Sequence, residues 1–406
     1  MVEKTIASID IGTTKVCTLV GEISELGVLR IIGVGVAPSR GLRKGVVVNA
    51  GEAADAISTS VERAERISGY QISRAYVGIA GSHIASLNSR GVVAVPGERA
   101  IVDEDVLRAL DAAQAISIPE NSEIIHIVPR GFSIDGQEGV SDPRGMHGVR
   151  LEVEAHIITG ATPTIQNLVK CVNSLDIEID EMVLAPLASG EAILTDTERA
   201  MGVVVADIGG GTTDIAIFIE GSVWHTSILP VGGHHLTNDI AICLRTPFEE
   251  AEEAKKKYGH AVPKEIAEGE TLDIVTFGES AHQKISRRDL AEVLHARVEE
   301  ISGLILQEIK RSGYDGLLPA GVVLCGGTAD LPGIRDVARE VIGLPARVGK
   351  PHDLQGLVDT LTKPAFATSV GLLMWGQRQK PSVRPHTPKT PLTGRVTKWF
   401  KNFLPG

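Results

Sequence analysis

Two short turns combine a carboxylate, glycine and threonine hydroxyls, a set of groups suited to binding phosphate. The first runs from Asp10 to Lys15 and the second from Asp207 to Asp214. Glycine lets backbone N–H groups approach phosphate oxygens without a Cβ clash, and each hydroxyl adds a donor. Because a carboxylate repels phosphate, the aspartates predict a bridging Mg²⁺ held through its waters. The residues predicted to bind phosphate are Asp10, Gly12, Thr13, Thr14, Lys15, Asp207, Gly209, Gly210, Gly211, Thr212 and Thr213, and the predicted metal residues are Asp10 and Asp207.

A third glycine-rich turn lies in residues 322–333, with the sequence VVLCGGTADLPG. Its residues Gly326, Gly327 and Thr328 follow a short apolar run, and the two glycines offer flat backbone against which an adenine or a ribose can lie. A single glycine-rich turn is usually no more than a tight turn. Three such turns that each follow a strand, two of them opening with Asp-Ile-Gly, favour a nucleotide site.

Strand patterns surround both aspartate turns, and helical patterns lie between them. Residues 5–23 predict a β-hairpin around the first turn, and residues 203–206 and 215–219 predict the same unit around the second. Two such units half a chain apart predict a duplicated, two-lobed α/β architecture. Helical periodicity occurs in residues 52–68, 103–116, 163–174, 249–258 and 288–312. Residues 84–160, with short strands at 123–128 and 151–158, predict an inserted α+β subdomain.

The composition excludes several classes of protein. Of the 406 residues, 43% are hydrophobic and 22% are charged, as in ordinary globular proteins. The net charge of −11 argues against nonspecific nucleic-acid binding. The four cysteines form no CxxC pair, which predicts reduced cytosolic thiols and neither a zinc site nor a disulfide framework. The N-terminus has no signal-peptide pattern, and no apolar run approaches the roughly 18 to 20 residues that span a bilayer. Any membrane contact is therefore expected to be peripheral.

The end of the sequence differs from the rest. From Gln377 onwards there are seven Lys or Arg and no Asp or Glu. Residues 377–392 hold four prolines among polar residues and predict an extended linker. In residues 393–406 the apolar positions follow helical spacing with cations beside them, which predicts an amphipathic helix in the interface of an anionic membrane. Docking of this helix on the body is the alternative. The predicted membrane-binding residues are Arg395, Val396, Lys398, Trp399, Phe400, Lys401, Phe403 and Leu404.

The three turns resemble the phosphate-1, phosphate-2 and adenosine motifs of the superfamily that contains actin, heat-shock chaperones and sugar kinases. The resemblance implies an actin-like ATPase fold of duplicated ribonuclease H-like lobes, with ATP and Mg²⁺ as cofactors. Residues 181–190 and 368–372 fit the small-residue connecting helices of the superfamily. By this resemblance Glu181 orients the attacking water, with a surface helix cap as the alternative. Glu252 and Lys255 contact adenosine, with a solvated helix pair as the alternative.

The order of the parts resembles the FtsA family of bacterial cell-division proteins over nearly the whole chain. The inserted segment around residues 137–140 and 148–151 lies between the two phosphate turns, and the A-E-x-x-K helix at 251–255, the third turn, the linker and the tail follow. The resemblance implies polymerisation and binding of the FtsZ C-terminal peptide near residues 231–315. It also implies tethering of the division ring to the cytoplasmic face of the cell membrane, and contacts with downstream division proteins. ATP hydrolysis is expected to be slow at most.

The same resemblance sets the predicted domain boundaries. The core of lobe one is predicted at 1–83 with 161–198 and 360–376, and the FtsA-type insertion at 84–160. The core of lobe two is predicted at 199–230 with 315–359, and its outer subdomain at 231–314. The linker occupies 377–392 and the membrane-targeting helix 393–406.

Other members of the superfamily fit less well. A sugar or small-molecule kinase would need a catalytic base and a sugar pocket, and the sequence provides neither set of residues. A heat-shock chaperone would need a substantial peptide-binding domain after the second lobe, where about 30 residues remain. An actin-like membrane adaptor of the pilus-assembly type is the nearest rival. His234 and His235 are adjacent, and adjacent residues on a strand face opposite ways, which argues against a metal pair. Both are interpreted as turn or polymer-surface residues.

Overall fold

The computed structural model describes residues 4–97, 99–277 and 282–378. In chain order its strands are β1 (Lys4–Ile11), β2 (Lys15–Ile23), β3 (Leu29–Pro38), β4 (Leu42–Arg43), β5 (Val46–Val47), β6 (Arg74–Ile79), β7 (Ile84–Ala94), β8 (Ser122–Ile134), β9 (Gln137–Val140), β10 (Arg150–Ala161), β11 (Glu178–Leu184), β12 (Val203–Ile208), β13 (Thr213–Ile219), β14 (Ser222–Leu229), β15 (Thr271–Val275), β16 (His282–Ser286), β17 (Val322–Cys325), β18 (Ala346–Val348) and β19 (Gln355–Gly356). Its helices are α1 (Ala50–Ser68), α2 (Asp103–Gln114), α3 (Thr162–Asn173), α4 (Ala185–Ile193), α5 (Asp196–Met201), α6 (Gly233–Cys243), α7 (Phe248–Tyr258), α8 (Arg287–Ser312), α9 (Ile334–Ile342) and α10 (Ala367–Arg378).

Lobe one is built on a six-stranded sheet in the order β11-β6-β1-β2-β3-β19. Strands β1 and β2 form the predicted hairpin, β6 runs parallel to β1, and β11 runs parallel to β6. Helix α1 begins after the side-chain cap of Asn49 and ends at Gly69, which is left-handed. It packs closely on β3 because Gly35 has no side chain, and a Cβ there would overlap the Ser60 carbonyl. Because β1, β6 and β11 are parallel, their carboxyl ends meet at one edge of the sheet.

Lobe two repeats this arrangement. Its sheet has the order β14-β13-β12-β17-β18, with β12 and β13 as the second hairpin and β17 parallel to β12. The pairing register places Asp207 directly opposite Asp214. Helix α8 follows a Ser286 cap and ends at the left-handed Gly313. Both lobes thus place an aspartate turn at the mouth of an antiparallel hairpin, beside a strand that runs parallel to the first strand of that hairpin.

The inserted subdomain is an antiparallel sheet, β7-β10-β8-β9, that occupies residues 84–161 with α2 packed on it. The close approach of α2 depends on Gly91, where a Cβ would overlap the Ala109 carbonyl. The subdomain is inserted in lobe one but also contacts lobe two. The guanidinium of Arg130 lies 4.3 Å above the ring of Trp224, and the hydroxyl of Ser86 donates to the Thr226 carbonyl at 2.8 Å.

Three expectations about local structure need correction. His234 and His235, which were interpreted as turn or polymer-surface residues, lie in the first turn of helix α6. Helix α10 continues to Arg378, so the first two residues of the predicted linker are helical. The segment around Glu181 is a strand up to Leu184, and its helix begins only at Ala185. The rest of the predicted linker and the whole tail helix, 379–406, lie outside the described residues. Within the described part of the chain, no helix is long and apolar enough to cross a membrane.

Candidate nucleotide-binding cleft

A cleft of about 560 Å³ lies between the two lobes, and all three predicted turns open into it. It is of the size that small-molecule and cofactor sites have in proteins. The predicted residues that line it are Asp10, Gly12, Thr13, Thr14, Lys15, Asp207, Gly209, Gly210, Thr212, Glu252, Lys255, Gly326, Gly327 and Thr328. Predicted residues up to 318 positions apart in sequence, Asp10 and Thr328, are thus brought to one surface.

The two aspartate turns face each other across the cleft at very short range. The Gly12 N–H donates to the Lys15 carbonyl at 3.0 Å and closes the first turn. A Cβ on Gly210 would overlap the Thr14 methyl group, and a Cβ on Gly211 would lie 3.0 Å from the Thr13 hydroxyl. Glycine is therefore required where the lobes meet. It leaves backbone N–H groups of both turns available to the same anion.

Hydroxyl groups from the connecting helices hold the two predicted metal residues. Asp207 Oδ2 accepts from Ser189 Oγ of α4 at 2.5 Å and from Thr368 Oγ1 of α10 at 2.9 Å. Asp10 Oδ2 accepts from Ser369 Oγ at 2.7 Å. Burial raises the pKa of Asp207, and the two hydroxyls oppose this effect. The hydroxyls therefore stabilise the ionised carboxylate that a cation needs.

A third carboxylate, Asp214, lines the same floor of the cleft. Burial, followed by the charge of Asp207, raises its pKa well above the usual value. Within the described ranges, its Oδ1 atom is buried without a hydrogen-bond partner. An unpartnered buried carboxylate oxygen on the residue that pairs with Asp207 is the kind of ligand that a divalent cation takes. No group of three His, Cys, Asp or Glu among the described residues could hold a metal by itself, so phosphate oxygens and water would complete its ligands.

The opposite end of the cleft is formed by the third turn and α7. Gly326 has a positive φ of 83°, and a Cβ there would lie 2.5 Å from the Ile208 carbonyl, so this position favours glycine on both counts. The Lys255 ammonium contacts Glu252 Oε2 at 2.6 Å and donates to the Gly233 carbonyl at 3.0 Å. This pair is half-buried and fixed to α6, unlike a solvated helix pair. It presents both a cation and a carboxylate to the cleft.

Three predicted residues do not line the cleft. Thr213 Oγ1 donates to the Val231 carbonyl at 2.8 Å, and its side chain is buried inside lobe two. Gly211 lies against Thr13 and Lys44 at the contact between the lobes. Glu181 lies on β11, and its carboxylate is 3.9 Å from His126 Nδ1.

The assignment of Glu181 to the cleft is therefore corrected. The four residue-to-residue steps from Glu181 to Ala185 cover about 13 Å at the rise of a strand, and the residue of this segment that reaches the cleft is Ala185. The small-residue pattern located the segment but not the point where its strand becomes a helix. The residue at the cleft consequently carries a methyl group and no group able to orient water.

Several residues that line the cleft or lie directly behind its wall were not predicted. His234 lines the cleft through its place on α6, although it was assigned to a turn or a polymer surface. Asp214 could have been predicted, because it is the second aspartate of the turn at 207–214. Ser189, Thr368 and Ser369 carry no signal of their own, because their role depends on packing between helices far apart in sequence.

Comparisons with known proteins agree with this architecture. Residues 204–371 match the family model "Cell division protein FtsA", and residues 81–159 match "SHS2 domain inserted in FTSA". The chain is 44% identical to the cell division protein FtsA of Pseudomonas aeruginosa, over 98% of each chain. It is 40% identical to that of Neisseria meningitidis serogroup B, over 98% of this chain and 99% of the relative.

Solved structures show the same fold at low identity. A PilM–PilN type IV pilus biogenesis complex has a TM-score of 0.67 at 14% identity, covering 93% of this chain and 99% of the other. MreB5 of Spiroplasma citri bound to ADP has a TM-score of 0.55 at 14% identity, covering 91% and 95%. The predicted two-lobed actin-like fold with an inserted subdomain is thereby confirmed. The full-length identity to the curated relatives decides the family: the chain belongs to the FtsA family of cell division proteins.

Proposed function

We propose that the chain binds ATP, polymerises at the cytoplasmic face of the cell membrane at the division site, and tethers the FtsZ ring there. The observation that carries the proposal is the convergence of three glycine-rich turns on one cleft in a chain of the FtsA family. MreB5 structures with ADP and AMPPNP share the fold, at TM-scores of 0.55 and 0.53. They support an adenine nucleotide as the ligand.

The residues of the cleft divide the proposed ligand between them. The backbone of the two aspartate turns and Lys15 would hold the phosphates, and Glu252, Lys255 and the third turn would hold the adenosine. Asp10 and Asp207 would hold Mg²⁺ through water. The cation would neutralise part of the negative charge of the phosphates. Without it, the three carboxylates on the floor of the cleft would repel them.

Hydrolysis is expected to be slow because the residue of α4 that lines the cleft is Ala185, whose methyl group cannot orient an attacking water. An enzyme that positions an attacking water needs a hydrogen-bonding group within reach of it. Steady-state turnover of Mg-ATP by the full-length monomer is the measurement. Rapid turnover at concentrations too low for assembly would contradict this part of the proposal.

An exposed apolar groove in lobe two fits the proposed FtsZ peptide. Ile242, Phe248 and Phe277 line it, with 75%, 38% and 69% of each residue exposed. Clustered exposed apolar residues of this kind mark interaction sites. It lies within residues 231–315, the region that the family resemblance assigns to the peptide.

The peptide proposal is tested by Ile242→Glu, with binding of a labelled FtsZ C-terminal peptide as the readout. A loss of at least about tenfold is expected for a desolvated apolar contact. Leu26→Glu is the control, because Leu26 is 91% exposed on a hairpin of lobe one. Equal peptide affinity in the two variants would place the peptide elsewhere.

The predicted domain boundaries are part of the proposal. The match of residues 81–159 to the inserted domain supports the boundaries of the insertion.

The membrane contact is assigned to residues 393–406. Sedimentation with anionic vesicles tests the contact, using the full chain and a chain ending at residue 392, each with and without Mg-ATP. We expect only the full chain to sediment, and more of it with Mg-ATP. Equal sedimentation of the truncated chain would refute the anchor.

A further inference from the structure

A cluster of buried polar side chains lies where the inserted subdomain meets lobe one. It consists of His126, Glu181 and Trp375, which we call the junction cluster. They come from three different elements, β8 of the inserted subdomain, β11 of lobe one and the connecting helix α10. His126 and Trp375 are 2% and 4% exposed, and their rings lie 5.8 Å apart. A polar cluster shared by three elements is positioned to couple them.

Hydrogen bonding fixes the proton on the histidine. The backbone N–H of Leu184 donates to His126 Nε2 at 3.0 Å. Burial lowers the pKa of His126 to about 3, so the ring is neutral at physiological pH. A neutral ring that accepts at Nε2 carries its proton on Nδ1. The Nδ1 atom lies 3.9 Å from Glu181 Oε1.

Glu181 is the titratable member of the cluster. Its side chain is 21% exposed. Burial raises its pKa to about 8, opposed by a hydrogen bond with Trp375 and assisted by the charge of Asp180. From β6, Tyr76 faces the same space with a pKa that burial raises, and Arg74 pairs with Asp180 at 2.5 Å.

The junction cluster is connected to the cleft along two paths. Leu184, which donates to His126, immediately precedes the cleft residue Ala185. Trp375 lies on α10, whose first turns carry Thr368 and Ser369, the residues that hold Asp207 and Asp10. The cluster thus shares one strand-to-helix segment with the wall of the cleft and one helix with its floor.

We propose that Glu181 is a positioning residue that, through His126 and Trp375, couples the inserted subdomain to the nucleotide cleft and makes nucleotide affinity depend on pH. An ionised carboxylate accepts stronger hydrogen bonds than a neutral acid. Ionised Glu181 draws in the Nδ1–H of His126 and holds the Leu184 bond and α10 in place. The cleft is then already ordered, so nucleotide binding loses less conformational entropy. The inference rests on the proposed nucleotide binding.

Isothermal titration of the full chain with Mg-ATP between about pH 7 and about pH 9 tests the proposal. We expect the dissociation constant to fall at least about fivefold across this range, with a midpoint near 8. Glu181→Gln should bind with one affinity throughout, equal to that of the wild type at the lower pH. Glu178→Gln is the matched control, because Glu178 lies on the same strand with 64% of its side chain exposed. It should keep the wild-type dependence.

A second readout does not involve nucleotide. In a chain with Trp224→Phe and Trp399→Phe, emission reports on Trp375 alone. It should titrate with the same midpoint, and Glu181→Gln should abolish this. A Trp375 titration without any change in Mg-ATP affinity would overturn the coupling and leave the proposed function intact. Mg-ATP that binds at no pH would instead defeat the proposed function. A pH dependence unchanged by Glu181→Gln would assign the effect to another group and refute the inference.

Discussion

The hydroxyl of Ser189 offers the most direct test of how the cleft prepares Asp207. Ser189→Ala removes a 2.5 Å hydrogen bond to a carboxylate that is 6% exposed. A hydrogen bond to a charged group is worth about 1.5–3 kcal/mol. Thr368 still donates to the same oxygen at 2.9 Å, so we expect the lower end of that range. This corresponds to roughly tenfold weaker binding of Mg-ATP.

The assay compares dissociation constants for ATP in Mg²⁺ and in EDTA. Because Ser189 acts on the nucleotide only through the cation at Asp207, the loss should be present in Mg²⁺ and absent in EDTA. Ser60→Ala is the control. It removes a buried hydroxyl whose partners are Thr18 and the Gly35 carbonyl. An equal loss with and without Mg²⁺, or a loss of less than about twofold, would refute the assigned role of Asp207.

A double substitution sharpens the same prediction. Ser189→Ala with Thr368→Val leaves Asp207 Oδ2 without either hydroxyl. In each single variant the remaining hydroxyl partly compensates, so the double variant should lose more than the two singles together. An excess of about 0.5–3 kcal/mol is typical of residues that share one partner. Strict additivity would mean that the hydroxyls act on different groups.

Further variants test the tail, the connecting helices and the junction. Trp399→Glu should abolish vesicle sedimentation while the affinity for Mg-ATP stays unchanged, and continued sedimentation would count against the anchor. Gly371→Ala should destabilise the chain to denaturant, because a Cβ there would overlap the Ala188 carbonyl of α4. Gly303→Ala, on α8, should stabilise it by up to about 1 kcal/mol, because within the described residues nothing lies within 4 Å of the new Cβ. Burial raises the pKa of Glu181 from its ordinary value of 4.5 to about 8 in the folded chain. Between these two pH values the folded chain binds more protons than the unfolded chain, so the free energy of unfolding falls as the pH rises. Glu181→Gln should weaken that fall in denaturation curves recorded at both ends of this range.

The parts of the site that the sequence predicted well are those whose chemistry is local. An aspartate turn contains its own carboxylate, glycines and hydroxyls, so its function can be recognised within eight residues, as at 207–214. The flanking hairpins follow from alternation in the same short window. Helices α1 and α8 could be predicted to within two residues of the observed starts at Ala50 and Arg287, because caps and periodicity are local as well.

The parts that could not be predicted depend on distant packing. Ser189 and Thr368 meet at Asp207 only because α4 and α10 cross closely, which no window of sequence reports. Glu181 was misplaced for a local reason. Its strand runs directly into α4, and Pro186 in the first turn of that helix marks the boundary that the prediction missed. The error also concealed why Glu181 is largely buried. Its carboxylate lies beside His126, in a cluster separate from the predicted phosphate site.

The proposed tail helix has a low affinity for the membrane, so assembly of the body would determine whether the protein stays bound. Five large apolar side chains in the tail, half buried in the interface, would supply about 5 kcal/mol, and three cations add about 1 kcal/mol each at an anionic leaflet. Ordering a dozen residues costs about 1 kcal/mol or more apiece, which is at least as large as this gain. A single tail is therefore marginal. Tails joined in one polymer would bind firmly, because each bound tail would raise the effective concentration of the next. If nucleotide binding in the proposed cleft favours assembly, it would then also favour attachment to the membrane. By linkage, a membrane that gathers tails would favour the assembled, nucleotide-bound body to the same degree.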